Sequence, residues 1–202
     1  MCLLLFGYGD EGRGKRHGRR EYPTSADRAI QAAIAILGVV IVVVVVVASL
    51  QPRGVAAQLR DTQDNLVGAA VFTETPDGVR IALTAQGLEP GEHGIHIHET
   101  GQCTPPTFES AGEHFNPTSK RHGLENPDGP HTGDLPNLVA TDSGSAIYEA
   151  VTNRITLGPS GETSLFHSGG SALVIHAKAD DQMTDPSGGS GDRVACGVIS
   201  KS

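Results

Sequence analysis

The chain has 202 residues, 38% of them hydrophobic and 4% aromatic, with no Trp, 26 Gly, 12 Pro and a formal net charge of −8. That length suits one domain of ordinary size plus an appendage, and its β-branched, Gly- and Pro-rich composition argues against a helical bundle. The first 28 residues hold six of the 15 basic side chains and four of the 23 acidic ones, so the remainder carries nine against 19, a net charge of −10 that argues against nucleic acid and anionic membrane surfaces as partners of the body.

Ala29 to Leu50 contains no charged residue and ends in the run Ile41 to Ala48. Its 22 residues, at about 1.5 Å each, match a hydrocarbon core of roughly 30 Å. The segment 1–28 before it is basic, through Arg13, Lys15, Arg16, Arg19, Arg20 and Arg28, and is expected to stay in the cytoplasm. Two readings stay open: an uncleaved transmembrane anchor over 29–50, which the length of the run favours, or a secretory signal helix cleaved near Ala48 or Val55-Ala56-Ala57. Either one exports the rest of the chain to the periplasm or cell surface. Cys2 precedes the apolar run and suggests no role.

Residues 51–60, with Pro52 and Gly54, read as a linker, and the domain is expected over 57–202. Leu66–Thr73 and Val79–Thr84 are β-prone runs around Thr75-Pro76-Asp77-Gly78, in which Pro presets φ and Gly accepts φ > 0, so they predict a hairpin. Further strands are expected at His93–His98, Ala146–Val151, Ser171–His176 and Val194–Ile199. Short strands between turn signals predict an all-β antiparallel barrel or sandwich. From Gly101 to Asn137 almost no period persists, and so long an irregular stretch in a compact domain needs an outside constraint.

Between Gly91 and Asp134 lie six histidines: His93, His96, His98, His114, His122 and His131. His96 and His98, two apart on a strand, leave one face together. With Asp134 and the later His176 there are enough ligands for two ions, and imidazole-rich sets suit copper and zinc. Ions held by these loops would supply the missing constraint.

The segments Gly-x-His-Gly-x-His-x-His-Glu-x-Gly-x-Cys from Gly91, Ala111-Gly-x-His-Phe-Asn-Pro117, His131-x-Gly-Asp-Leu135, Val174-Ile-His-Ala-Lys-Ala-Asp-Asp181 and Gly191-Asp-Arg-Val-Ala-Cys-Gly-Val-Ile199 stand in one order. In these five motifs the chain resembles the exported, bacterial-type copper/zinc superoxide dismutases. The resemblance implies a Greek-key, immunoglobulin-like β-barrel or sandwich with long metal-binding loops. It implies His96, His98, His114 and His176 as copper ligands, and His114, His122, His131 and Asp134 as zinc ligands, with His114 shared. It also implies that Asp180 hydrogen-bonds one histidine of each metal, that His93 holds loops together, and that Cys103 and Cys196 form a disulfide. Closing a loop of about 90 residues restrains the unfolded chain by on the order of 4–5 kcal/mol.

The implied reaction is disproportionation of superoxide to dioxygen and hydrogen peroxide, with His114 and Arg193 catalytic and Arg193 docking the anion. Between Asp180 and Arg193 there is no Lys and there are three further carboxylates, so steering is expected from other groups such as Lys120, Arg121 or Lys178. His17 and His167 lie outside every motif and are expected at the surface. An exported copper-binding or copper-storage protein of the same fold is the alternative function, and a homodimer stays open.

Overall fold

The structure, a computed structural model, describes residues 54–201. The basic segment, the apolar run 29–50, Cys2 and His17 lie outside the described residues. Among the described residues no helix is long and apolar enough to cross a membrane.

The chain runs through β1 (Val55–Asp61), β2 (Leu66–Thr75), β3 (Gly78–Ala85), β4 (Gly91–His93), β5 (Ile95–His98), β6 (Leu138–Ala140), β7 (Ala146–Thr152), β8 (Ala172–His176), β9 (Arg193–Val198) and β10 (Ser200–Lys201). One antiparallel sheet has the order β5-β8-β9-β1-β2-β3-β7, with β10 on β1; a second ladder pairs β4 with β6. β4 runs through Gly94 into β5, and β6 lies against β7. The two-stranded ladder thus links the ends of the curled sheet. β1 begins at Val55, inside the stretch that composition reads as linker, because Val55, Ala57 and Leu59 point inward in alternation with the more exposed Ala56, Gln58 and Arg60.

The hairpin forms where Pro76-Asp77-Gly78 predicts it. Gly78 has φ +130°, and a Cβ there would lie 2.4 Å from the Thr152 carbonyl oxygen, so two separate constraints require glycine. Register then stacks inward residues across strands: Phe72 pairs with Val55 and Ile81, and Ile81 with Ala150. Leu83 likewise joins Ala70 to Tyr148. These layers form the main core, which β5 and β8 enter through Ile95, Ile97, Leu173 and Ile175.

β5 and β8 are buried on both faces. Their inner residues fill the barrel, whereas the outer face carries His96 and His98, opposite Val174 and Ala172. The irregular stretch covers that outer face. Among the described residues its only helical turn is a 3₁₀ turn, Glu109–Ala111, and a second apolar cluster of Phe108, Ala111, Ala172, Val174 and Cys196 lies beneath it. The Cys103–Cys196 disulfide ties this loop to β9, with Cα atoms 5.6 Å apart.

Ile81 is fully buried at the centre of one layer and remote in sequence from the histidines. Ile81→Ala is expected to cost about 2–5 kcal/mol, read as a lower urea midpoint, with the metal-to-protein ratio unchanged.

Candidate metal centre

Three backbone segments meet at Ile97. Its N–H donates to the Gly133 carbonyl (2.9 Å), its carbonyl accepts the Phe115 N–H (2.8 Å), and the Gly133 N–H donates to the Phe115 carbonyl (2.8 Å). Residues on either side of these three are therefore brought together: His96 and His98, His114, and Asp134. The approach is close enough that a Cβ on Gly133 would lie 2.2 Å from the Ile97 oxygen. His176 arrives from β8, with its N–H on the Gly94 carbonyl (2.8 Å).

The ring nitrogens divide sharply. His96 uses Nε2 on Asp180 Oδ2 (2.7 Å), His98 uses Nδ1 on the Gly112 carbonyl (2.9 Å), and His176 uses Nδ1 on the Gly191 carbonyl (3.0 Å). Their other nitrogens face inward: His96 Nδ1 and His114 Nε2 are buried with no hydrogen-bond partner, and His98 Nε2 meets His176 Nε2 at 3.4 Å. Donor atoms of His96, His98, His114 and His176 all lie within 4.8 Å of one another. Buried orphan lone pairs converging on one point are what a metal ion satisfies.

A second group surrounds Asp134 Oδ1, with Nδ1 of His114, His122 and His131 at 3.0, 3.1 and 3.4 Å. Tetrahedral zinc with ligands at about 2.0–2.1 Å sets its ligand atoms roughly 3.3 Å apart, so these separations fit the ligands of one such ion. Asp134 Oδ2 is occupied by the amides of Gly123 (2.8 Å) and His131 (2.9 Å), which leaves Oδ1 free for an ion. Proximity also admits His96 to this group. Since its Nε2 is engaged by Asp180 and its Nδ1 faces the first group, His131 is the better fourth member. His114 alone turns one nitrogen to each group.

The sequence model of a family described as copper/zinc superoxide dismutase (SODC) matches residues 66–199. A superoxide dismutase [Cu-Zn] of Aquifex aeolicus is 49% identical over 144 residues, covering 71% of this chain and 84% of that one. The chain belongs to the copper/zinc superoxide dismutase family. A counterpart from Caulobacter vibrioides is 46% identical over 134 residues, covering 65% of this chain and 77% of that one. Among solved structures, a superoxide dismutase-like protein of Bacillus subtilis superposes with a TM-score of 0.69 at 40% identity, covering 72% of this chain and 97% of that one. The Cu/Zn superoxide dismutase of Brucella abortus does so with a TM-score of 0.60 at 29% identity, covering 73% and 99%.

The electrostatics suit a superoxide dismutase centre. Burial, reinforced by neighbouring His114, lowers His96 to about 3, and burial lowers His176 to about 4 and His98 well below its ordinary value. Neutral imidazoles keep a lone pair for a metal. Burial also acts against charge on His122, but hydrogen bonds to Asp134 and Asp180 outweigh it and hold this ring at about 9. Burial would raise Asp134, yet the three histidines and the Gly123 amide keep it well below the carboxylate range. Asp180 spans both groups, with Oδ1 on His122 Nε2 (3.0 Å) and Oδ2 on His96.

Arg193 is partly buried beside a mouth of about 770 Å³ lined by Pro106, Thr107, Glu109, Glu113 and Asp192. Its Nη1 donates to the Phe108 carbonyl (2.8 Å) and Nη2 to the Gly112 carbonyl (2.7 Å), the same carbonyl that holds His98. His93 bonds the carbonyls of His176 and Glu89 through its two ring nitrogens, so it joins loops and stays outside both groups. His167 differs from the surface position expected of it. It is partly buried and stacks on Phe115, ring centroids 5.0 Å apart and planes within 1°.

Sequence reasoning missed Asn137, whose side chain pairs with the backbone of Asp180 through two hydrogen bonds (2.8 and 3.0 Å). No sequence signal marks it. It also missed the Gly112 carbonyl, whose identity is only backbone. Gly133→Ala is expected to separate the three segments at Ile97 and weaken metal binding roughly 10- to 100-fold, measured as metal content after dialysis against a chelator.

Proposed function

We propose that this chain is an extracytoplasmic superoxide dismutase, with copper held by His96, His98, His114 and His176 and zinc by His114, His122, His131 and Asp134. Two superoxide anions and two protons give dioxygen and hydrogen peroxide. The observation that carries the reading is His114: its Nδ1 faces one complete ligand set and its buried, partnerless Nε2 faces the other. Copper supplies a one-electron couple at the first set, and zinc a redox-inert positive charge at the second.

The chain's own residues supply the rest. Arg193 receives the anion: two of its donors are fixed on carbonyls, which orients the guanidinium and leaves the remaining N–H groups for a small anion. His114 Nε2 would carry one of the two protons to the reduced oxygen species when it is not holding copper, the second coming from solvent, while its Nδ1 stays on the zinc side and the ring keeps its place. Asp180 fixes His96 and His122 by their Nε2–H groups, so each ring offers Nδ1. Asp180 in turn is fixed by Asn137.

The disulfide supports export, since such a bond persists in an oxidising compartment. The charge-free run of 29–50 supports a membrane anchor or signal. The intact mass of the exported chain separates the two. A homodimer also belongs to this reading as an expectation, tested by sedimentation.

Two measurements test the function. The copper- and zinc-loaded protein is expected to accelerate superoxide decay far beyond buffer; a loaded protein no faster than buffer would overturn the enzyme reading. Arg193→Ala is expected to lower kcat/KM by roughly tenfold or more, as loss of a charge-assisted hydrogen bond of about 1.5–3 kcal/mol implies, while the copper EPR spectrum is unchanged. An unaltered rate would count against Arg193 as the docking group and in favour of a copper-binding role.

A further inference from the structure

The zinc reading of the second group leaves one cation without a task. Arg154 follows β7, and its partly buried guanidinium lies behind Asp134, where Nη2 donates to the Asp134 carbonyl. Its Nε is buried with no hydrogen-bond partner among the described residues. Two residues beyond Asp134, the Pro136 carbonyl accepts the hydroxyl of Tyr148 of β7 (3.0 Å). Two barrel side chains thus hold the carbonyls on either side of Leu135, which is itself fully buried. Nothing in the dismutation chemistry asks for either contact.

Asp134 explains the need. Its side chain is fully buried, and Oδ1 faces three imidazole nitrogens. Oδ2 is held by the Gly123 and His131 amides, so the direction of Oδ1 follows the backbone on either side of it, and that backbone is what Arg154 and Tyr148 grip.

We propose that Arg154 is a positioning residue for the zinc half of the site: it fixes the Asp134 backbone, so that Oδ1 already faces the three Nδ1 atoms in the metal-free protein. Tyr148 supports it by holding the next turn of the same segment. The inference rests on the zinc reading of His114, His122, His131 and Asp134, and it is separable from that reading by experiment.

The test uses the full chain in detergent, as wild type and as Arg154→Met, Arg154→Lys and Asp134→Ala. The rate of zinc transfer to a chelator and the visible spectrum of the cobalt(II)-substituted protein are measured, with the copper EPR spectrum and the urea midpoint beside them. Arg154→Met is expected to release zinc roughly 10- to 100-fold faster and to alter the cobalt spectrum, with the copper spectrum unchanged. Arg154→Lys, which keeps the charge and loses the fork, is expected to fall between Met and wild type. A folded Arg154→Met protein with wild-type zinc release and cobalt spectrum overturns the proposal. Should the Met variant not fold, wild-type behaviour of the Lys variant in both readouts overturns it instead. Asp134→Ala is expected to lose zinc altogether; if it retains zinc, the zinc reading is at fault and not the role of Arg154.

Discussion

Everything at the centre depends on one imidazole whose two nitrogens are committed in opposite directions. His114 has Nδ1 among His122, His131 and Asp134 and Nε2 among His96, His98 and His176. Such a ring is useful only if both ligand sets are placed to within a few tenths of an ångström. The Ile97–Phe115–Gly133 backbone triangle does this with three hydrogen bonds that involve no side chain. Position is therefore inherited from the barrel: Ile97 and Leu173 are anchored in the main core, and the histidines next to Ile97 on the strand follow. A rigid two-sided strand is a better foundation for a metal site than a loop.

The loop from Gly101 to Asn137 presents the opposite problem, since it has little regular hydrogen bonding to hold it. Three attachments replace a helix or sheet. The disulfide fixes one end, the Phe108/Ala111 cluster seats the middle on β8 and β9, and Asp134 draws its far end together through two amides and three imidazoles. Glycines permit the close contacts: a Cβ on Gly123, at φ +107°, would lie 2.1 Å from the Gln182 carbonyl oxygen, where the loop meets the segment after Asp180. Gln182 itself caps Asp180 Oδ1 (2.6 Å) and reaches the Leu135 carbonyl. The loop that carries His114, His122, His131 and Asp134 and the segment after Asp180 are hence one mechanical unit.

Much of this was readable in the residues, for identifiable reasons. The 75–78 turn declares itself because only particular residues make it. His96 and His98 declare themselves because strand periodicity is strict. What stayed hidden depends on partners distant in sequence or on backbone atoms. Val55–Arg60 passes for a linker because it follows Pro52 and Gly54. β4, β6 and β10 have three residues or fewer, too short for a period to register. Asn137 and Arg154 touch only carbonyl and amide groups at the site, which any residue would present, so their roles appear only once the chain is folded. His167 stacks on Phe115, a partner distant in sequence, which composition does not mark.

The acidity of the body looks ill-suited to an anionic substrate until the individual charges are followed. Of the three carboxylates after Asp180, Asp181 Oδ1 is engaged by the amides of Met183 and Thr184, and Asp185 binds the His122 amide and the Arg121 guanidinium. Arg121, one expected steering group, is thereby paired and contributes little field of its own. Lys178 instead lies along Gly191, next to the carbonyl that holds His176. At physiological ionic strength charges farther apart than about 8 Å are largely screened. The net charge of the whole molecule therefore weighs less than the few groups at the mouth. There Glu109, Glu113 and Asp192 face Arg193, whose guanidinium is clamped on two carbonyls with its charge toward the histidines. An anion that passes the carboxylates meets a fixed cation in a partly desolvated setting, where a charge-assisted contact is stronger than the exposed repulsions around it. If Arg193 docks the substrate as proposed, its partly buried charge beside His98, and not the sign of the overall charge, sets what the site admits.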